Sequence, residues 1–128
     1  MKTHKGYILI RTGAISEVGG LRFRRGWIVE DAPYSIHRDG KYYKNYVVTD
    51  LPTGYHIKTY SKLKDARKAI ENGEIQKQMY DYKREHLEDY QNKVTELVNL
   101  IDAYKKDILK NEYDKFLKFE DINEKYIQ

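Results

Sequence analysis

The segment at residues 74–111 constrains the fold of this chain more than any other part of the sequence. It contains no Gly or Pro, and its apolar and aromatic side chains recur every three or four residues, which is the spacing of one helix face. At 1.5 Å per residue, a continuous helix of this length would extend for about 55 Å, much longer than a small globular domain needs. The residues of this face are Ile75, Met79, Tyr82, His86, Tyr90, Val94, Leu97, Ile101, Tyr104 and Ile108.

The second half of this segment carries a heptad repeat. From Tyr90 onward the apolar steps alternate four and three, with β-branched residues at a and Leu97 at a d position, which favours a parallel two-stranded coiled coil. The step from His86 to Tyr90 repeats a four, a stutter that relaxes a supercoil locally. Val98 and Leu100 widen the apolar face, as packing on a sheet or bundle would require. A homodimer and intramolecular packing both stay open, and the residues predicted to mediate self-association are Tyr90, Val94, Leu97, Ile101, Tyr104 and Ile108.

The N-terminal part of the chain carries the alternation and the turn signals of an antiparallel sheet. Asp39-Gly40 is a strong hairpin signal, and a second turn at residues 50–54 precedes the last strand. Gly26 interrupts the alternation of the second strand and predicts a β-bulge. Ser61 occupies the N-cap position of a short amphipathic helix, which Asn72-Gly73 would end. The predicted strands are 7–12, 21–30, 34–38, 42–49 and 55–60.

These patterns predict an α+β fold, with a small antiparallel β-sheet (a meander), one covering helix and a long C-terminal α-helix. Gly73 marks the predicted boundary between a sheet-and-helix unit at 1–73 and a helical extension at 74–128 that ends in an apolar tail. The net charge of +4 is unevenly divided, because 1–73 holds 14 Lys and Arg against 7 Asp and Glu, whereas 74–128 holds 10 against 13. The basic N-terminal unit favours an anionic partner, through long-range attraction that salt screens.

The composition also bears on the compartment of the protein. The sequence contains no Cys, so disulfides and thiolate zinc sites are excluded and a reducing compartment is expected. The apolar run at residues 7–10 is too short for the core of a signal peptide, and no stretch approaches the length of a membrane span. We therefore expect a cytoplasmic protein with no membrane partner.

Residues with catalytic or metal-binding potential are few and scattered. His37 lies beside a predicted turn, His56 on a strand and His86 on the long helix, and no two His have metal-ligand spacing with a carboxylate. No Ser lies in a nucleophile motif, and Gly19-Gly20 lacks the following Lys-Ser/Thr of a phosphate-binding loop. We expect no enzymatic activity, no metal, no cofactor and no small-molecule substrate.

Basic side chains alternate with aromatic ones on the predicted strands of the N-terminal unit. Lys and Arg attract phosphates, and aromatic rings can stack on bases or contact a protein surface. A solvated sheet face shows the same alternation, so the pattern also fits a surface that only confers solubility. The residues predicted to contact nucleic acid or another partner are Arg22, Arg24, Arg25, Lys41, Tyr43, Lys44, His56 and Lys58.

Residues 46–70 combine two strands, a Thr-Gly turn and a helix that begins with a Leu-Lys pattern. The positions that carry this pattern are Val47, Val48, Thr53, Gly54, Ile57, Leu63, Lys64, Ala66 and Ile70. This unit resembles the arm-type DNA-binding domain of phage integrases, and the resemblance implies contact between a sheet face and DNA. The Arg, His and Tyr catalytic set of the recombinase domain is absent, so integrase activity is not implied.

The whole chain is similar in style to small phage and plasmid proteins from AT-rich bacteria. The shared features are its small size, its lack of Cys and its content of Lys, Ile and Tyr. Anti-CRISPR inhibitors are among these proteins, and this resemblance implies a bacterial host and a non-enzymatic binder that occludes an RNA-guided nuclease. Nucleic acid or a nucleoprotein, including a CRISPR effector nuclease, is therefore the expected partner.

Three functional hypotheses follow from the sequence. The first is a non-enzymatic binding protein of a phage or mobile element, whose basic β-face contacts nucleic acid or a nucleoprotein and which inhibits a host CRISPR-Cas nuclease. The second is a dimeric DNA-binding accessory or regulatory protein for replication, transfer or recombination. The third is a structural interaction protein with a coiled coil.

Overall fold

The computed structural model describes residues 1–11, 21–38 and 44–103, with the backbone alone at Tyr7 and at 21–23. Within this part, five strands form one antiparallel sheet in which strands adjacent in sequence are also adjacent in space. The predicted α+β class and antiparallel meander are thereby confirmed. The strands are β1 (Thr3–Arg11), β2 (Leu21–Val29), β3 (Tyr34–Arg38), β4 (Tyr46–Asp50) and β5 (His56–Tyr60).

The strand β4 begins later than predicted. β4 begins at Tyr46 instead of residue 42, and Arg38 pairs with Tyr46. The turn predicted at Asp39-Gly40 lies outside the described residues. Because side chains alternate along a strand, this register decides which aromatic and basic residues share a face.

The β-bulge predicted at Gly26 is absent from the pairing of β1 with β2. The glycine instead allows β2 and β3 to pack closely. That pairing runs regularly through Gly6 and Gly26. A Cβ atom at Gly26 would lie 2.5 Å from the carbonyl oxygen of Ile36, so only glycine allows β3 to approach this closely. A register irregularity occurs between Val48 and Thr49 of β4, where it pairs with β5.

The sheet curls so that its first strand meets the turn between its last two strands. The backbone N–H of Arg11 donates a hydrogen bond to the carbonyl of Gly54 at 3.0 Å. Gly54 has a φ of 73°, a conformation that favours glycine, and its own N–H donates to the carbonyl of Asp50 at 2.8 Å. The end of β1 is therefore held next to Asp50 and the turn that follows it.

Three helices follow the sheet. They are α1 (Leu63–Glu71), α2 (Glu74–Glu85) and α3, which begins at Leu87 and is described through Ala103. The N-cap of α1 is Lys62 and not the predicted Ser61, with no side-chain cap hydrogen bond. The predicted end at Asn72-Gly73 is confirmed, with Gly73 at a φ of 83°. Among the helices of the described residues, none has the length and apolarity to cross a bilayer.

The predicted single helix over 74–111 is wrong at His86. There the backbone leaves helical geometry, with φ −133° and ψ 42°, and a new helix begins one residue later. The interruption coincides with the stutter in the apolar spacing. It lets Tyr82, at the end of α2, contact both His86 and Tyr90, with the Tyr82 and Tyr90 rings meeting edge to face at 6.3 Å.

All three helices contribute to one main core on a single face of the sheet. Sheet residues such as Ile36 and Val48 pack there with Ala66 and Ala69 of α1, with Ile75 and Met79 of α2, and with Tyr90 of α3. Residues on both sides of the predicted boundary at Gly73 therefore share this core.

The residues predicted for self-association are largely covered within the chain itself. Tyr90 and Val94 pack in or against the main core, and Leu97 and Ile101 are buried. Tyr104 and Ile108 lie outside the described residues. The homodimer stays a prediction, but the intramolecular alternative accounts for the side chains of Tyr90 and Val94.

Two substitutions test these packing assignments. We expect Gly26→Ala to lower the free energy of unfolding by about 1–3 kcal/mol, because the added methyl group meets the backbone of β3. Ser61→Ala, at the exposed position that does not cap α1, should change it by less than about 0.5 kcal/mol. Urea unfolding monitored by circular dichroism measures both. The structure would be contradicted if Gly26→Ala left the free energy of unfolding unchanged. It would also be contradicted if Ser61→Ala lowered that free energy by about 1 kcal/mol, as the loss of a helix cap would.

Candidate functional site

Three aromatic side chains lie on one face of the sheet, at the end where β3 finishes and β4 begins. Directly paired residues of antiparallel strands lie on the same face. Tyr46 pairs with Arg38 on one side and with Tyr60 on the other. Trp27 lies one row further along, paired with Ile36, and its ring centroid is 6.2 Å from that of Tyr46. We call Trp27, Tyr46 and Tyr60 the aromatic platform.

The rings of the aromatic platform pack against the main core and remain partly accessible to solvent. Each of the three side chains is half-buried and packs against the main core. Because that packing already restricts the rings, less side-chain conformational entropy is lost when a partner stacks on them. Burial, followed by a hydrogen bond to Glu74, raises the pKa of Tyr60 to about 12, so its ring stays uncharged at neutral pH.

Exposed cations surround the aromatic platform. The guanidinium of Arg38 lies 5.9 Å from the Tyr46 ring centroid, and the ammonium of Lys58 lies 5.5 Å from that of Tyr60. Arg25 is exposed on the same face of β2 as Trp27, and Lys44 is exposed two residues before Tyr46. Lys58 is partly neutralised, because it donates to Glu74 at 3.2 Å and thereby lowers the pKa of that carboxyl group.

The structure brings together only part of the predicted basic face. Lys58 lies beside the Tyr60 ring, Arg25 is exposed on the same face as Trp27, and Lys44 is exposed two residues before Tyr46. Arg24 is half-buried on the opposite face of β2, where it pairs with the buried Ile8. His56 lies at the far end of β5 from Tyr60. The side chain of Arg22 is not described, and Lys41 and Tyr43 lie outside the described residues.

Sequence reasoning missed four residues of this site, namely Trp27, Arg38, Tyr46 and Tyr60. The signal for the first three was the alternation itself, since Trp27, Arg38 and Tyr46 each lie two residues from a buried neighbour on the same strand. The alternation could not tell which face the helices would cover. That depended on the register of β3 against β4, which the turn signal did not specify.

A second feature is a cleft of about 220 Å³ between the start of β5 and the two helices α2 and α3. We call it the tyrosine cleft, and its lining includes Asp50, Tyr55, His56, Tyr82, Tyr90 and Lys93.

Asp50 is the buried polar group of the tyrosine cleft, with 1% of its surface exposed. Its Oδ2 accepts hydrogen bonds from the hydroxyl groups of Thr53 at 2.8 Å and of Tyr90 at 3.1 Å. Its Oδ1 has no hydrogen-bond partner among the described residues, which is an unusual condition for a buried acceptor. Burial raises the pKa of this carboxyl group, and the two hydroxyl donors, Lys83 and the backbone N–H of Thr53 oppose that shift only in part.

An ionic chain closes one side of the tyrosine cleft. The Tyr82 hydroxyl donates to Asp89 at 2.5 Å, and the Lys93 ammonium donates to the Tyr82 oxygen at 2.8 Å. These hydrogen bonds lower the pKa of Asp89 and raise that of Lys93, so both groups are charged at neutral pH. The Lys93 ammonium also lies 5.1 Å from the Tyr55 ring centroid, within cation–π distance.

Arg11 joins the sheet to α3 beside the tyrosine cleft. Its Nε donates to the carbonyl of Thr53 at 2.7 Å, its Nη2 donates to the carbonyl of Lys93 at 2.9 Å, and its Nη1 forms an ion pair with Glu96. Its guanidinium lies 4.4 Å from the Tyr55 ring centroid. One side chain therefore fixes β1, the turn after β4 and the middle of α3.

Comparisons with protein-family models, with curated proteins and with solved structures find no match for this chain. The described residues contain no cluster of three or more His, Asp or Glu side chains able to hold a metal ion.

The raised pKa of Asp50 makes a pH-dependent prediction about stability. A carboxyl group whose pKa is higher in the folded state favours folding most when it is protonated, and this contribution is lost as pH rises above its ordinary value of 3.8 through the raised value. Asp50→Asn removes that dependence and keeps an oxygen for Thr53 and Tyr90. We therefore expect the Asp50→Asn variant to gain stability relative to the native chain as pH rises from about 4 to 7. Urea unfolding of both proteins across this range measures their free energies of unfolding, and a variant that loses stability relative to the native chain as pH rises would contradict the prediction.

Proposed function

We propose that this chain is a non-enzymatic binding protein whose aromatic platform holds single-stranded nucleic acid, either free or as part of a nucleoprotein. The observation that carries the proposal is the arrangement of three half-buried rings on one sheet face with four exposed cations around them. Unpaired bases stack on such rings, and the cations attract the phosphates between them.

The shape of this face favours a single strand over a duplex. The helices pack on the same face as the aromatic platform, so the sheet does not present a broad open surface to a DNA groove. On the opposite face of β4, Val47 and Thr49 are buried as well. The half-buried rings offer surfaces for stacking, which a base inside a duplex cannot use without leaving its own stack.

The cations set the expected salt dependence. Arg25, Arg38 and Lys44 form no ion pair within the described residues, whereas Lys58 is paired with Glu74. Three phosphate contacts to a single strand predict a slope of about −2 for log affinity against log salt concentration.

The single Trp of the chain provides a direct test, because Trp27 belongs to the aromatic platform. We expect oligonucleotides to quench its fluorescence and Tyr46→Ala to weaken binding by about tenfold, the effect of losing one base–ring contact. Charge reversal at Arg25 and Arg38 should weaken binding further and flatten the salt slope. The matched controls are Tyr80→Ala and Arg84→Glu, which change an exposed Tyr and an exposed Arg on α2.

Equal losses in the platform and control variants, or no quenching by any oligonucleotide, would refute the proposal. A duplex of the same sequence that binds more tightly than the single strand would favour the DNA-binding regulator predicted from the sequence. Quenching by a guide-loaded nuclease and not by the free strand would favour the inhibitor.

A further inference from the structure

We propose that the tyrosine cleft is a separate binding site for one nucleotide, with the base enclosed by tyrosine rings and the phosphate at the lysines. This goes beyond the proposed function, because it concerns different residues, a different end of β5 and a monomeric ligand. The nucleotide here is a bound ligand and not a substrate.

The size and lining of the tyrosine cleft suit a single ring system. Its volume of about 220 Å³ is below the roughly 300–1,000 Å³ of sites for drug-sized ligands. Tyr55, Tyr82 and Tyr90 line it together with the apolar side chain of Met79. Aromatic rings of this kind bind flat heterocycles by stacking and by edge-to-face contact.

The buried carboxylate of the tyrosine cleft offers an acceptor to a ligand that donates a hydrogen bond. Oδ2 of Asp50 is already occupied by Thr53 and Tyr90, and Oδ1 has no partner among the described residues. A buried acceptor without a partner is unfavourable until a donor reaches it. The amino groups and ring N–H groups of nucleobases are such donors, and carboxylate side chains accept hydrogen bonds from base edges in other complexes.

The cations near the tyrosine cleft determine the charge of the ligand. Lys93 lines it, and the Lys83 ammonium lies 4.6 Å from the Tyr90 ring centroid. Lysine ammonium groups therefore lie close to the Tyr55, Tyr82 and Tyr90 rings, and a cationic ligand would meet repulsion. An anionic group attached to the ring, such as a phosphate, would instead be attracted to Lys83 and, in competition with Asp89 at 3.1 Å, to Lys93.

Titration of the purified chain with the four ribonucleoside 5′-monophosphates, followed by calorimetry and by NMR chemical shifts, tests this proposal. We expect saturable binding of at least one of them, with shifts at Tyr55, Tyr82 and Tyr90. Asp50→Asn keeps one oxygen for Thr53 and Tyr90 but places an N–H₂ group where the free acceptor was, so binding should weaken by at least about tenfold. Tyr55→Ala, at a partly exposed position where the variant should still fold, should also weaken it.

Further measurements show which part of the nucleotide and which site on the protein account for any binding. The nucleoside without its phosphate should bind more weakly to the native chain, and Lys93→Gln should remove most of that difference. Tyr46→Ala, in the aromatic platform, should leave mononucleotide binding unchanged. The proposal is overturned if no mononucleotide binds at millimolar concentration, if Tyr46→Ala abolishes binding while Asp50→Asn does not, or if choline or spermidine binds in place of nucleotides.

Discussion

The buried carboxylate of Asp50 is the contact on which the arrangement of this chain depends. It lies at the end of β4, accepts a hydrogen bond from Thr53 in the following turn, and accepts a second from Tyr90 in α3. Removing a carboxylate from water is unfavourable, so these hydroxyl donors are needed to keep it in place. The same contact fixes the position of a helix that is 40 residues away along the chain.

The docking of α3 explains why the helical segment is interrupted. A straight helix through His86 would carry the following residues away from the sheet, and Tyr90 could not reach Asp50. The break allows Tyr82, Asp89 and Lys93 to form their ionic chain across the junction, while Arg11 holds the middle of α3 against β1. The helices thus pack on one face of the sheet, form the tyrosine cleft with β5, and leave the rings of the aromatic platform half-buried.

The sequence was sufficient for the fold class but not for the sites. An apolar run indicated the first strand, alternation and turn residues indicated the other four, and Asn72-Gly73 indicated the end of α1, because these signals are local. The register that pairs Arg38 with Tyr46 and the docking of Tyr90 on Asp50 are long-range outcomes of packing, and local periodicity does not encode them. Residues 82–90 contain only residues compatible with a helix, so the stutter at His86 was the one sign of an interruption. Asp50 lay in a predicted turn, where acidic residues are common, so the sequence did not indicate that this side chain is buried.

A double-mutant cycle between Tyr90→Phe and Asp50→Ala tests the docking of α3 on the sheet most directly. If the hydroxyl group of Tyr90 donates to Asp50 in the folded chain, the two substitutions are coupled by about 1–3 kcal/mol in the free energy of unfolding, as for a buried hydrogen bond to a charged group. If the helix instead continues past His86 as a straight extension, the two residues do not meet. Their effects would then add to within about 0.5 kcal/mol, and the account of the fold and of the tyrosine cleft would be contradicted.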